Sequence, residues 1–255
     1  MFSLAPTILS DSAAPISPAV AIIAAILTAG GSLSSPEQAA LTTYVDTLVA
    51  AGIWSKRILL YGIMGGTDAS HAINWANLGV NTLSYAGNFP TSTSNGIQFN
   101  GGYAATGYFA SAGNFALTTY SRDTDARLGT IDTGPSAPRF YSGQTTTVNF
   151  NAVNSTFENY PTFTVPVKHV INQRANSTTL KSYAEGALIS TITDSAVVAS
   201  SEVLIAILRS AGTPAFPQGS SSVCQHYGIW QALSDAEALA LYNAELTLQT
   251  VLGRN

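Results

Sequence analysis

From Ile58 onward Gly, Asn, Ser and Pro cut the chain into short runs rich in β-branched and aromatic residues, with no long helical run between them. A parallel sheet needs long crossover connections, usually helical, so these runs must pair mainly as antiparallel neighbours. The pattern predicts strands at ILLYGI (58–63), NTLSY (81–85), GIQF (96–99), YAATGYF (103–109), FALTTYS (115–121), RLGTI (127–131), RFYS (139–142), TTTVNF (145–150), TFTVPVKHVINQR (162–174), TLKSYAE (179–185), ALISTIT (187–193), EVLIAIL (202–208) and VCQHYGIW (223–230). Many short strands with regular turn signals make a sandwich or jelly roll. In LKSYAEGALIST, Glu185-Gly186 forms a two-residue hairpin turn, with Gly186 supplying a positive φ.

Helices flank this β-rich body. Residues 1–16, with Pro6 and Pro15 and no periodicity, read as an extended arm. In the segment 17–52, Ser17-Pro18 opens a helix over AVAIIAAILTA that closes at Gly30-Gly31, and Ser35-Pro36-Glu37-Gln38 opens a second, with Gln38 closing a capping box and Gly52 as the stop. The first apolar run is too short for a bilayer, which takes about 20 residues, and fits a short buried helix. Leu41, Tyr44, Val45, Leu48 and Val49 give the second helix one apolar face. The body, 53–255, ends in a helix over 234–252, with Ser234 and Glu237 as a capping box and Gly253-Arg254 as the stop. Leu241, Ala244, Leu248, Val251 and Leu252 fall on one side, and Leu239, Tyr242 and Leu246 on another. Glu237, Glu245 and Gln249 stand where a membrane-surface helix would carry lysines, so this helix should pack between the sheets and the N-terminal helices, burying Leu241, Leu248 and Leu252.

Only 9% of the 255 residues are charged, against about 25% in an ordinary globular chain, while 46% are hydrophobic. Thr and Ser take the place of Lys and Glu, and are expected on the solvent face of sheets. A net charge of −4 without a Lys/Arg run argues against nucleic acid as a partner. Cys224 is the lone cysteine, so no intrachain disulfide forms and the fold depends on its core.

Chemistry-bearing motifs are sparse. Asp123 and Asp125 alternate with Arg122 and Arg127 in SRDTDAR, which reads as a salt-bridged loop, and two acids alone make a poor calcium site. His71, His169 and His226 lack zinc-type spacing, so each is expected to be a hydrogen-bonded structural residue. Cys224 and His226 are two apart in a strand, which places both on one face without a third group to orient a Cys–His nucleophile. No GxSxG elbow, P-loop or GxGxxG turn occurs. Asn154-Ser155-Thr156 and Asn176-Ser177-Thr178 match the glycosylation acceptor pattern, which is frequent by chance in an Asn/Ser/Thr-rich chain. No catalytic, metal or cofactor-binding residue is assigned, and no cofactor is expected. Tyr85, Phe89, Tyr103, Tyr108, Phe109, Tyr120, Phe140 and Tyr141 suit either a core or a sugar-binding surface.

A capped helix leading into GIWSKRILLYGIMGG, then HAINW, LSYAGNFPTSTSNGIQFNGGYAATGYF, a YSR strand, the SYAEGALIST hairpin and a final ALSDAEALALYNAELTLQTVLGR together resemble the concanavalin A-like, laminin G-like jelly-roll domains. More narrowly, they resemble the versions found in virion proteins of tailed bacteriophages. The resemblance covers Ser35 to Arg254 and implies a mainly β fold: an antiparallel two-sheet jelly-roll sandwich carrying two N-terminal helices and one C-terminal helix. It implies a non-enzymatic virion protein, in head decoration or the tail or fibre, assembled in the bacterial host cytoplasm. Its expected partners are other virion proteins, with the arm or helices as the attachment element; homo-oligomerisation fits such assemblies, and no membrane insertion is expected. A carbohydrate-binding module for host surface glycan is the alternative, and a glycan hydrolase or lyase the remote one. The ExDxxE-type catalytic strand of the glucanase relatives, and the acidic calcium and sugar ligands of the legume lectins, have no counterpart, so no site residue is carried over.

Overall fold

A computed structural model describes residues 16–88, 90–109, 114–121, 126–131, 139–144, 149–152, 158–159, 168–193, 202–206, 208–210, 213–215 and 223–254, with backbone alone for those within 126–159 and 208–215. The arm up to residue 15, Phe89, and the Asp123/Asp125 loop lie outside the described residues, as do the side chains of Phe140 and Tyr141. The helices are α1 (Pro18–Thr28), α2 (Ser35–Ala50), the short α3 (Asp68–His71) and α4 (Asp235–Val251). The strands are β1 (Arg57–Tyr61), β2 (Ser84–Ala86), β3 (Thr91–Thr93), β4 (Gly96–Gln98), β5 (Tyr103–Phe109), β6 (Phe115–Ser121), β7 (Ala126–Ile131), β8 (Arg139–Gln144), β9 (Asn149–Ala152), β10 (Glu158–Asn159), β11 (His169–Arg174), β12 (Thr179–Ala184), β13 (Ala187–Thr193), β14 (Glu202–Ile205), β15 (Leu208–Ser210), β16 (Thr213–Ala215) and β17 (Val223–Gln231). No described helix is long and apolar enough to cross a membrane.

The strands form two sheets. Sheet A runs β13-β12-β11-β6-β17-β4-β3, with β1 also on β17; sheet B runs β10-β9-β8-β7-β14-β5-β2, with β15 on β7 and β16 on β15. Described pairs are antiparallel except β15 with β7. This is the expected mainly β, two-sheet sandwich.

Sheet A is a middle layer. Strand alternation sends Leu59, Tyr61, Phe115, Leu117, Tyr227 and Ile229 toward Ala104, Val203 and Ile205 of sheet B. The intervening Leu60, Ala116 and Trp230 point the other way, into a core shared with α1, α2 and α4. At the centre of the sheet both faces are therefore dry, and β6 and β11 are buried along their whole length. The expectation that sheet Thr and Ser face solvent fails here: Thr118, Thr119, Ser121 and Ser182 are all buried. Their hydroxyls need internal partners. Trp230 Nε1 donates to Thr118 Oγ1 at 3.0 Å, and Ser182 Oγ donates to Asn172 Oδ1 at 2.7 Å.

The expected caps form with one change of position. Ser34, rather than Ser35, caps α2, and Glu37 rather than Gln38 closes its box, accepting from Ser34 N at 2.6 Å; Gln38 Nε2 donates instead to Leu33 O. Ser17 makes no side-chain cap bond, so Pro18 at the first turn carries that start alone. At α4, Ser234 N donates to Glu237 Oε2 at 2.7 Å, and Glu237 N to Ser234 Oγ at 3.2 Å. At the Glu185-Gly186 turn both residues take positive φ, 49° and 76°. Glu185 is held there by its carboxylate, which accepts from Lys168 N at 2.5 Å. A Cβ on Gly186 would sit 2.7 Å from Tyr242 and 2.9 Å from Leu239, so the hairpin tip lies directly under α4.

α4 has the two contacts its apolar stripes require. Leu241 and Leu248 are fully buried in the core shared with α2, while Leu252 is only half-buried. Glu245 and Gln249, expected on a polar outer face, are fully buried too. α1 also departs from expectation: Ala19, Ile22 and Ile26 are buried, but Ile16, Val20 and Leu27 are 74%, 53% and 45% exposed, because only one stripe of this apolar helix meets the body. Replacing Leu241 with Ala removes the centre of the α4 seam and is expected to lower unfolding free energy by about 2–5 kcal/mol, as urea denaturation would measure.

Candidate functional site at the paired sheet edges

Because helices cover sheet A on one face and sheet B covers the other, polar groups from this layer reach solvent chiefly at its rim. β3 is the last strand of sheet A and β2 the last of sheet B, and residues 87–90 join them, so the two open edges lie together. Beside them stands α3, whose first residue Asp68 is exposed. Thr67 caps α3, its Oγ1 accepting from Ser70 N at 3.1 Å.

A continuous polar set runs across this corner. Ser92 Oγ donates to Asp68 Oδ1 at 2.5 Å, and Tyr85 OH donates to Asp68 O at 3.2 Å. Next along β3, Thr91 Oγ1 accepts from Asn100 Nδ2 at 3.0 Å, and Asn100 O accepts from Asn88 Nδ2 at 2.8 Å. Asp68, Asn88 and Thr91 are exposed; Tyr85, Ser92 and Asn100 are half-buried. The Tyr85 ring rests against Phe99, 6.4 Å between centroids, which anchors it on the inter-sheet core. Burial, and then the neighbouring Asp68 charge, push the Tyr85 phenol well above its ordinary range, so it stays a neutral donor.

Asp68, Ser92 and His71 bring together the residue types of a serine-nucleophile triad, but the hydrogen bonds run the wrong way. Gly66 N donates to His71 Nε2 at 3.3 Å, which leaves the neutral ring's proton on Nδ1, 3.0 Å from Ser92 Oγ. Nδ1 then donates to the serine, whose own proton goes to Asp68. The imidazole offers Ser92 no base, so the chain orients Asp68 rather than activating a nucleophile. Burial and then the Arg254 charge lower His71 to about 3. Arg254, expected only as a stop signal, is itself buried: its guanidinium reaches Ile63 O at 3.0 Å and Ser94 O, tying the end of α4 to this corner.

A second polar cluster is sealed beneath α4. His226 Nδ1 lies 2.8 Å from Glu245 Oε2 with both side chains inaccessible, and Gln249 Nε2 donates to Glu245 Oε1 at 2.6 Å. The His226 contact is close but not aligned as a hydrogen bond. Burial works most strongly, to raise the Glu245 carboxyl, but His226, the Gln249 hydrogen bond and His169 together outweigh it, leaving the group below its ordinary value. His169 lies between Tyr242 and Tyr120, 5.5 and 6.3 Å between ring centroids. Contrary to expectation, neither of its ring nitrogens has a hydrogen-bond partner among the described residues. Sequence spacing gave no hint that His169 and His226 would meet around Glu245. Cys224 and His226 do not share a face: a bulge between them turns Cys224 toward sheet B and His226 toward the helices. No group of three or more metal-ligating side chains occurs among the described residues. Of the aromatic candidates, Tyr120 is fully buried, Tyr103 half-buried and Phe109 60% exposed.

No protein-family model matches the chain, and no curated protein matches it in sequence. Solved structures do. Domain 4 of an extracellular arabinanase from Geobacillus stearothermophilus, in complex with arabinotriose, is similar at TM-score 0.50 and 10% identity, over 73% of this chain and 98% of that one. A botulinum neurotoxin type C structure, whose cell uptake is described as dependent on two ganglioside molecules, is similar at TM-score 0.46 and 12% identity, over 77% of this chain and 53% of that one. A Trypanosoma rangeli sialidase in complex with sialic acid is similar at TM-score 0.49 and 13% identity, over 74% and 33%. The chain spans about half the length of the neurotoxin chains it matches. At these identities the likeness is one of fold alone: a two-sheet β-sandwich.

Burial lowers His169 to about 4, against the pull of Glu245 and with His226 adding to the effect. Unfolded, both His169 and His71 take up a proton near 6.5; folded, they resist until about 4 and about 3. Stability is therefore complete above the unfolded value and falls as pH drops through this window. Between pH about 7.5 and about 5, each histidine is expected to remove about 2 kcal/mol of unfolding free energy, and His169→Phe to remove its own share of the dependence. A urea midpoint that does not move over this range would contradict the assignment.

Proposed function

We propose that this domain binds carbohydrate, through the corner where the two sheet edges meet, and is a binding rather than a catalytic unit. The observation that carries the reading is the convergence of exposed Asp68, Asn88 and Thr91 beside half-buried Tyr85 and Asn100. A carboxylate accepts from sugar hydroxyls, amides both donate and accept, and a tyrosine edge offers apolar surface with a polar tip. The fold shared with the arabinanase domain solved with arabinotriose supports a sugar as the ligand class. Glycan-array screening of the full chain followed by calorimetry is expected to find a glycan whose binding weakens about tenfold or more in Asp68→Ala and in Asn88→Ala, the loss typical of a hydrogen bond to a charged group for Asp68. An array without any bound glycan would overturn the reading.

The sequence resemblance supports a setting for this activity: a phage particle, with the domain carried on the capsid or tail. The specific feature favouring it is the uncovered stripe Ile16, Val20 and Leu27 on α1, an apolar face of the kind that marks an interaction site. In this reading α1 seats the domain on a neighbouring virion protein and the sugar-binding corner faces the host. Val20→Asp with Leu27→Asp is expected to abolish incorporation into particles, assayed on purified virions, without changing the unfolding midpoint.

A further inference from the structure

The charge that the sheet-edge corner presents to solvent is negative. Asp68 is exposed, and no ion pair among the described residues includes it. Ser92 takes one position on Oδ1, which leaves Oδ2 and further lone pairs of the carboxylate unengaged. The other titratable groups of the corner stay uncharged: His71 resists protonation down to about 3, and the Tyr85 phenol keeps its proton. Arg254 does not offset Asp68 from behind. It is 1% exposed, its guanidinium is taken up by Ile63 O and Ser94 O, and the carboxylates acting on its charge are Glu245 and Glu37. Lys56 and Lys181 pair with Glu237 and Asp235 at the other end of α4, about 25 Å away at 1.5 Å per residue. The neighbouring amide adds acceptor character. Asn88 Nδ2 donates to Asn100 O, which turns its Oδ1 away, and a Cβ on Gly102 would sit 2.2 Å from Asn88 O, so close backbone packing fixes this residue in place. Thr91 Oγ1 accepts from Asn100 Nδ2 and keeps its own hydrogen for donation.

Resting on the carbohydrate reading above, we propose that this corner selects neutral glycans: Asp68 grips a pair of adjacent sugar hydroxyls and rejects glycans that carry carboxylates or sulfates. Two neighbouring hydroxyls can each donate to the carboxylate in charge-assisted hydrogen bonds, and a third can donate to Asn88 Oδ1. Thr91 donates in return to a sugar oxygen. A glycan carboxylate or sulfate brings acceptors alone, so it has no hydrogen for Asp68 or for Asn88 Oδ1. It also sets a second negative charge against Asp68, and like charges across an interface suppress binding. Ser92 and Asp68 divide the work. Ser92, its own oxygen engaged by His71 Nδ1 at 3.0 Å, directs its hydrogen at Asp68 Oδ1 and holds the carboxylate in one orientation, which makes it a positioning residue. The discrimination itself comes from the charge on Asp68.

The test is a glycan array printed in matched pairs, such as lactose beside sialyllactose and xylotriose beside its glucuronic acid-branched form, probed with the full chain at low and at high salt. At low salt the neutral member of each bound pair is expected to bind at least about tenfold more tightly than its acidic partner. High salt should narrow that gap, because screening weakens charge repulsion and leaves hydroxyl contacts nearly untouched. Asp68→Asn removes the charge and keeps the shape; it should lower neutral binding about tenfold and bring the acidic members within about threefold of the neutral ones. Ser92→Ala keeps the charge but frees its orientation, so neutral binding should fall while the gap between pair members remains. Acidic members bound as tightly as neutral ones at low salt, with binding still lost in Asn88→Ala, would overturn the selectivity and leave the corner as the glycan site. A gap that survives Asp68→Asn unchanged would overturn it too, since the discrimination would then come from elsewhere. An array without any bound glycan would overturn both this inference and the reading on which it rests. Circular dichroism establishes that each variant is folded, and the salt comparison on the unaltered chain tests the proposal without any substitution.

Discussion

β17 runs between two apolar layers and pairs on both edges, with β6 on one side and β4 and β1 on the other. Desolvating a sheet on both faces leaves it no water to satisfy polar groups, so an inward Thr, Ser, Asn or Gln is costly without a protein partner, and Thr119 Oγ1 is one that has none among the described residues. Gln173 shows how tightly this couples the layers: its amide donates to Tyr183 OH and Leu233 O, both at 2.9 Å, and accepts from Leu233 N at 3.0 Å. That residue therefore holds the joint between β17 and α4. Lys56 with Glu237 and Lys181 with Asp235 add ion pairs at the same end of α4. The helices thereby become a third layer of the sandwich.

The location of the candidate site follows from that layering. With both faces of sheet A occupied, the polar groups described around β2 and β3 reach solvent where the two sheets run out of strands. The same corner is braced from within by Arg254, whose donors take up Ile63 O and Ser94 O. A binding surface built in this way draws rigidity from the core while its outward atoms stay wet. The Asp68–Ser92–His71 chain serves the same end, since its donor direction fixes the carboxylate and leaves the serine without a base.

The cluster under α4 carries a different cost. A carboxylate and an imidazole without solvent are tolerable only together, because removal of either leaves a buried group unpaired. Any slide of α4 along sheet A would separate Glu245 from His226, so the pair favours one register of the helix over its neighbours. Apolar contacts alone, being non-directional, discriminate registers less sharply.

Local signals proved legible where the physics is local. The Ser234–Glu237 cap, the Glu185-Gly186 turn and the strands at 103–109, 115–121 and 187–193 stand as their residues indicate, because hydrogen bonds and φ preferences act within a few positions. The sequence by itself thus determined the antiparallel, β-rich sandwich and the helices at its ends. What lies across a layer was decided by tertiary structure alone. Whether Thr118 faces water, whether Glu245 is solvated and whether Ser92 meets Asp68 depend on elements distant in sequence. Strand parity likewise failed at Cys224 and His226, since one bulge reverses the face of every residue beyond it. Burial on the second face of a sheet, and the meeting of two sheet edges, are properties of packing that no periodicity along one chain encodes.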